Sequence, residues 1–448
     1  MVSSAYDGSL LPWRPETDSR DLRWGYSIMA TGTARETASN LTNECLDYFA
    51  SLGHETNARW RALNYDESRF PELSSELIER WRPCDKVGFM DAVRLGCLCS
   101  QLPQQTDLDA SFGQPPVTVY WQHEFRIELL FWSEGLPAIH QHGFSGAFHV
   151  MSGSSLHSIW EFEEELRVSL HLLFGQMTFV NAKVLSQGAT HPIRAGRRFI
   201  HTTYHLEKPT VTLVLRTNSE EPNLPQYSYL PPSIAFAQPI QPPSVIRRRQ
   251  LLSMLKVVGR VENMVAVAEE AIESTETYSA VECLRDVYRL TNDLDQRRRV
   301  AAVAQGRLGE LFQPTMAVLA EQERRDRISL LKRAVNDPEV QFFLALLLNV
   351  PERDVILQLL SQRRAEITPC DQICQSIRKL LQLQGSRLKL PFDACDSIRA
   401  ELDGANARQS KNVVSPASRM HWFLAPLFND TTVRPPTSKD LANEFQVS

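Results

Sequence analysis

The sequence has no long apolar run. Its longest, Phe342 to Leu348, falls far short of the roughly 20 residues that cross a bilayer as a helix, so no membrane partner is expected. Charge of one sign is scarce as well: 48 basic residues stand against 53 acidic ones, a formal net charge of -5. That balance offers no general electrostatic grip on nucleic acid or on an anionic membrane. Cysteine is sparse, eight in 448 residues, too few for a disulfide scaffold. Cys97-Leu98-Cys99 and the Cys370/Cys374 pair lack the second pair that zinc-finger spacing needs. Met1 to Trp24 shows no basic segment leading into an apolar one, so a secretory signal is not expected. Reduced thiols and a cytoplasmic location are the expectation. There is no P-loop, no G-x-G-x-x-G, no G-x-S-x-G and no H-E-x-x-H.

What the sequence does have is a contrast between segments. Residues 1–33 are polar and irregular and read as a tail. From Ala34 to about Leu102 apolar residues recur at helical spacing, as in Leu41, Cys45, Tyr48 and Phe49. After Pro115-Pro116 the character changes to β-branched and aromatic. Strands are expected over Val117–Trp121, Phe125–Trp132, Phe148–Met151, Leu156–Phe162, Leu166–Leu173, Met177–Val184, Ile193–Thr203 and Thr210–Arg216, with turns at Gly153, Gly175 and Gly188. Many short strands with glycine turns argue for a sandwich or barrel. Ser219 to Ser244 is proline-rich and reads as an extended strap that closes the β domain. Helical periodicity returns from Val245 to about Leu402. The resulting division is a β domain with helical lead-in over 34–240, an all-α domain over 241–430 and a mobile tail over 431–448.

Nine of the eleven histidines lie between His123 and His205. Within that span, Ile139-His140-Gln141-His142 is the informative motif. Alternate residues of a strand face the same side, so an H-x-H pair aims both imidazoles into one cavity. Neutral imidazole is a good ligand for divalent iron, copper, nickel or zinc. A third ligand must come from elsewhere, and Phe199-Ile200-His201-Thr202-Thr203-Tyr204-His205 offers His201 and His205. The remaining histidines of the cluster, His123, His157, His171 and His191, are expected to be structural or exposed.

These segments resemble the cupin barrel, whose first motif carries H-x-H and whose second carries a further histidine. They are most similar to the cysteine dioxygenase branch of the thiol dioxygenases. Phe125 to Trp132, then Glu134-Gly135, Ile139-His140-Gln141-His142, Ser145, Phe148 and Gly153 follow that pattern. Phe199-Ile200-His201 and Glu207 to Leu215 resemble its later ligand segment and the strand after it. The resemblance covers about residues 34–240. It implies an α+β fold, a cupin-type double-stranded β-helix barrel with N-terminal helices followed by the all-α domain. It also implies ferrous iron on His140, His142 and His201, with His205 as the rival for the third place. The usual first-motif glutamate falls near Ala147, so a carboxylate ligand is not implied. The family's Ser-His-Tyr relay is missing, since the corresponding strand reads Thr212-Leu213-Val214-Leu215-Arg216. Its carboxylate-binding arginine is also missing near Thr118 to Tyr120.

The expected activity is O2-dependent oxidation, by a non-haem Fe(II) oxygenase, of a small-molecule or peptidyl substrate, thiol- or amino-acid-derived. Candidate substrate-binding or catalytic groups are Arg126, His149, Tyr204 and Arg216, with Trp132 as an apolar wall. The helical domain is expected to bind a protein partner or to self-associate. The alternative is a non-catalytic metal- or ligand-sensing cupin that acts through that domain.

Overall fold

The computed structural model describes residues 32–105, 113–133, 138–218, 225–238, 241–382, 399 and 424–428. Helix α1 spans Gly32–Ala62, α2 Phe70–Trp81, α3 Pro83–Lys86 and α4 Phe89–Leu98. Pro71 and Pro83 open α2 and α3, in the first turn where the N–H that proline lacks has no helical partner anyway.

Eleven strands follow among the described residues: β1 Pro116–Trp121, β2 Phe125–Trp132, β3 Ile139–His140, β4 Gly146–Ser152, β5 Ser154–Arg167, β6 Leu172–Ser186, β7 Thr190–Ile193, β8 Ile200–His205, β9 Thr210–Thr217, β10 Gln226–Leu230 and β11 Ile234–Gln238. They form a five-stranded sheet in the order β1-β2-β9-β4-β7 and a six-stranded closed barrel in the order β10-β11-β6-β5-β8-β3. Every pairing is antiparallel. The expectation of β segments with helices on either side holds. The strands are divided between an open sheet and a closed barrel.

Strand alternation assigns the faces. On one side of the five-stranded sheet Val119, Ile127, Leu129, Ala147, Leu213 and Leu215 pack with Phe49, Leu52, Trp60 and Phe70 of the N-terminal helices. On the other side Leu130, Trp132, Phe148, Val150 and Val214 meet Phe144, Leu185 and Phe199 in an interior apolar cluster. The C-terminal helices run from α5 (Pro243–Val257) through α6 (Val261–Ser274), α7 (Thr277–Leu290), α8 (Leu294–Leu308), α9 (Phe312–Arg333), α10 (Pro338–Asn349) and α11 (Arg353–Arg363) to α12 (Pro369–Gln382). They cover the outside of the barrel. Leu156, Trp160, Tyr204 and Tyr229 join Val340, Phe343 and Leu347 in one core. Leu172, Phe174, Ile234 and Phe236 join Leu252, Val281 and Leu284 in another. The helical region thus shares its cores with the strands.

Three expectations change. The proline-rich stretch is a hairpin, β10 and β11, with Pro231 and Pro232 in its turn. Pro231 and Pro232 sit at the turn, β10 buries alternate residues at Tyr227 and Tyr229, and β11 is buried on both faces from Ile234 to Ala237. The strand expected over Leu166–Leu173 is split by a turn, and β5 instead runs unbroken through the acidic stretch. There Glu161 and Glu163 face solvent on either side of the buried Phe162. Ile193–Thr203 is broken by the short helical turn Gly196–Arg198. The tail expected over 431–448, and that over 1–33 apart from the start of α1, lie outside the described residues, as does the Glu134-Gly135 turn.

β4 and β9 approach closely at Gly146, where a Cβ would stand 2.1 Å from the Leu215 carbonyl oxygen. Gly146→Ala is expected to lower the unfolding free energy by about 1–3 kcal/mol, the usual cost of overpacking. Denaturant titration reads this directly, and an unchanged midpoint would contradict the packing described.

Candidate metal centre

His140 and His201 come together because β3 and β8 pair at these two residues. Residues directly opposite on antiparallel strands carry Cβ atoms about 4.5–5.5 Å apart. His142 follows just after β3, in an irregular segment held at two points. The Gly196 N–H donates to the His142 carbonyl at 2.8 Å, and the Gln141 N–H donates to the Tyr227 carbonyl at 3.1 Å. Gly196 takes φ +73° there, a left-handed conformation that glycine adopts without strain. The Gln141 side chain turns to β10, donating to the Pro225 carbonyl and accepting from the Tyr229 hydroxyl. The spacer residue thereby fastens the motif to the barrel wall.

The ligand atoms of His140, His142 and His201 lie within 4.8 Å of one another. His142 Nε2 is 2.8 Å from His201 Nε2. His140 Nδ1 faces the Ala138 carbonyl at 3.1 Å, which fits Nδ1–H as donor and Nε2 as the atom for a metal. Three imidazole nitrogens gathered this closely could be shared by one metal ion. His142 and His201 are buried and His140 partly so. Burial is the main cause holding all three imidazoles below their ordinary pKa, with the other rings adding to the push on His142 and His201. The rings are therefore neutral near pH 7, the state that ligates. No carboxylate or thiolate joins the group among the described residues. The donor set fits a divalent transition metal.

Aromatic rings enclose it. Phe144 lies 4.5 Å from His142 and Phe199 4.3 Å from His201 between ring centroids, with Phe148 at 6.1 Å from His201. Arg216 stands with its guanidinium 3.5 Å from the Phe144 centroid. Its charge adds to the downward push on His142. Glu128 lies 3.9 Å from Arg216 and accepts from Arg126 at 2.8 Å, and Arg126 also donates to Asn218.

The other sequence candidates fall elsewhere. His205 shares the inward face of β8 with His201, but four residues of strand separate them, roughly 13 Å. It stacks on Trp132 with centroids 4.5 Å apart and faces the Ser155 hydroxyl at 2.9 Å. The structure thus brings His201, not His205, to the H-x-H pair. Trp132 lies deeper in the interior cluster and donates to Thr212. Tyr204 is on the outward face of β8, under the Lys332 ammonium at 4.7 Å. His149 lies on the face of β4 opposite Phe148, meets Thr190 at 2.9 Å and feels Asp85 and Arg82 from the N-terminal layer. Neither Tyr204 nor His149 meets the three histidines, because each has the wrong strand parity.

One residue expected to be a bystander is not. His157 on β5 is fully buried, and its Nε2 lies 3.1 Å from His201 Nδ1. Strand alternation was the available signal, but the sequence does not carry the β5–β8 register that makes it count. His123 is exposed, His171 stacks on Tyr278, and His191 touches His157 at 4.6 Å.

Comparison with descriptions of known protein families gives no match, and comparison with curated proteins gives none. Among solved structures, a chain from the crystal structures of DMSP lyases is 15% identical with a TM-score of 0.24, covering 41% of this chain and 95% of that one. A chain from a study of the mechanism of oxalate oxidase is 17% identical with a TM-score of 0.20, covering 38% of this chain and 78% of that one. Recombinant oxalate oxidase in complex with glycolate gives 17% identity and a TM-score of 0.19 over the same shares.

The buried histidines make the fold acid-sensitive. Burial pushes His205 down to about 3 and His149 down to about 4. Both stay neutral in the fold while the unfolded chain protonates near pH 6.5. The unfolded state then binds more protons, so stability falls as pH drops from about 6.5 toward 4, by about 1.4 kcal/mol per pH unit for each ring. Denaturant unfolding at pH 7, 6 and 5 is expected to show this slope, and His205→Gln to remove one ring's share. An identical profile in wild type and His205→Gln would contradict the assignment.

Proposed function

We propose that this chain is a non-haem iron(II), O2-dependent oxygenase of the cupin class, oxidising a small-molecule or peptidyl substrate. The observation that carries the reading is the meeting of His140, His142 and His201, three neutral imidazoles without a carboxylate, in an aromatic-walled interior between antiparallel strands. Three protein ligands on one side leave positions for substrate on the other. Ferrous iron bound there would supply O2 activation, chemistry that side chains alone do not provide.

The chain's own groups have definable tasks in this reading. His140, His142 and His201 would hold the metal, His140 through Nε2. Phe144, Phe148 and Phe199 exclude water and lower the local dielectric, which strengthens every charge interaction inside. Arg216, over Phe144 and beside His142, favours a substrate with an anionic group such as a carboxylate. Arg126 acts through Glu128 to hold Arg216 in place. A thiol- or amino-acid-derived substrate meets these requirements, in keeping with the motif's resemblance to the cysteine dioxygenase branch. The location is cytoplasmic, and the helical region would take a protein partner or a second copy, not nucleic acid or membrane.

A second reading has its own support. β8 carries His201 on its inward face and Tyr204 on its outward face beneath Lys332 of α9. One short strand therefore joins the candidate centre to the helical layer, the arrangement that a metal- or ligand-sensing cupin acting through its helices would need.

Anaerobically purified protein is expected to hold stoichiometric iron and to consume O2 with members of a panel of thiols and amino acids. Iron without O2 uptake would favour the sensor. Zinc, nickel or manganese in place of iron would replace the oxygenase reading. His140→Ala and His201→Ala are expected to weaken metal binding at least 100-fold, while His205→Ala keeps it. The reverse order for the last two would overturn the ligand assignment.

A further inference from the structure

A ligating histidine works with one nitrogen on the metal and the other carrying a proton that needs an acceptor. His140 has the Ala138 carbonyl. For His201 the neighbours of Nδ1 are His157 Nε2 at 3.1 Å and the Thr203 hydroxyl at 3.5 Å. The first is within hydrogen-bond range; the second is at its outer limit. Resting on the metal-site reading above, we propose that His157 is the positioning residue of the third ligand, its Nε2 accepting the His201 Nδ1 proton and holding His201 Nε2 toward the metal.

The surroundings of His157 support the role. Its position on β5 is set by the β5–β8 register, in which Ile159 lies opposite His201 and His157 opposite Thr203. His157 is therefore the diagonal cross-strand neighbour of His201. Phe148 and His191 pack against the ring edge to face at 5.5 and 4.6 Å, and Phe199 lies at 6.0 Å. These contacts leave the ring little room to turn. His157 Nδ1 is buried without a hydrogen-bond partner. An unsatisfied buried polar atom is costly, and a phenyl ring would fill the same space without that cost. The bond made at Nε2 is what the imidazole adds.

The partner is also unusual in kind. Carboxylates are common behind metal-bound histidines, whereas His157 is a neutral ring at this depth. With the Ala138 carbonyl behind His140, both identified supports of the ligands are uncharged. The positive charge of a bound metal is then not offset by these supports, which agrees with an anionic substrate.

Co(II) binding to the full chain, followed by its visible spectrum, tests the proposal together with a metal-free measurement. His157→Leu is expected to weaken Co(II) binding 10- to 100-fold. His157→Gln, whose carbonyl can accept the same proton, is expected to bind within a few-fold of wild type. Thermal unfolding of each apoprotein checks that both variants fold. In metal-free wild type labelled with 15N-histidine, NMR is expected to show an imidazole N–H bridging His157 and His201, lost in the variants. Unchanged Co(II) affinity in His157→Leu would overturn the proposal. So would a His157→Gln variant that folds normally yet binds as weakly as the Leu variant, or a wild type without the bridging N–H. Should His157→Leu fail to fold, the Gln variant and the wild-type spectrum still decide. A wild type that shows the bridging N–H but binds no Co(II) would overturn the metal reading itself, and the positioning role with it.

Discussion

The pairing of β3 with β8 is the constraint on which the centre depends. β3 is only Ile139–His140, yet it is held on both sides, by β8 through His140 and His201 and by β10 through Ser228 and Tyr229. Two residues of strand would not stay in register alone. The β10–β11 hairpin supplies the second edge, and β11 carries the pairing on to β6. Closing the barrel therefore also places the first ligand. Gly196 and Gln141 fix the segment that carries the second, and β5 fixes the third from behind.

The interior carries several buried imidazoles. His142, His157, His201 and His205 are all buried, and burial disfavours their charged forms. The outcome is a group of neutral nitrogen donors in an aromatic setting, suited to a divalent metal and poorly suited to acid–base chemistry by charged histidine. Arg216 supplies positive charge at the edge, restrained by Glu128. The N-terminal helices pack on the five-stranded sheet and the C-terminal helices on the barrel strands.

Much of this was legible in the sequence. Proline punctuation and apolar periodicity marked the N-terminal helices, and β-branched alternation marked most strands. H-x-H implied two convergent imidazoles; they do converge, but His142 lies past the end of β3 in an irregular segment, not on the strand that the alternation assumed. Strand parity was also legible and could have gone further: Tyr204 is three residues from His201 and so faces the other way, and His149 neighbours the inward Phe148. Register was not legible. The spacing offered both His201 and His205, the family resemblance favoured His201, and the pairing with His140 brings His201 to the site. The same gap hid His157, whose importance lies in its diagonal relation to His201. The hairpin at Pro231-Pro232 was missed because proline content outweighed the alternating Tyr227, Tyr229, Ile234 and Phe236.

On this reading three histidines and no other side chains would ligate the metal. X-ray absorption on the anaerobic, Fe(II)-loaded protein tests it most directly. The expected spectrum has an iron shell of nitrogen and oxygen scatterers at about 2.0–2.2 Å, with outer-shell scattering from three imidazole rings. A sulfur scatterer from a cysteine ligand, or outer-shell scattering that accounts for fewer than three imidazoles, would contradict it.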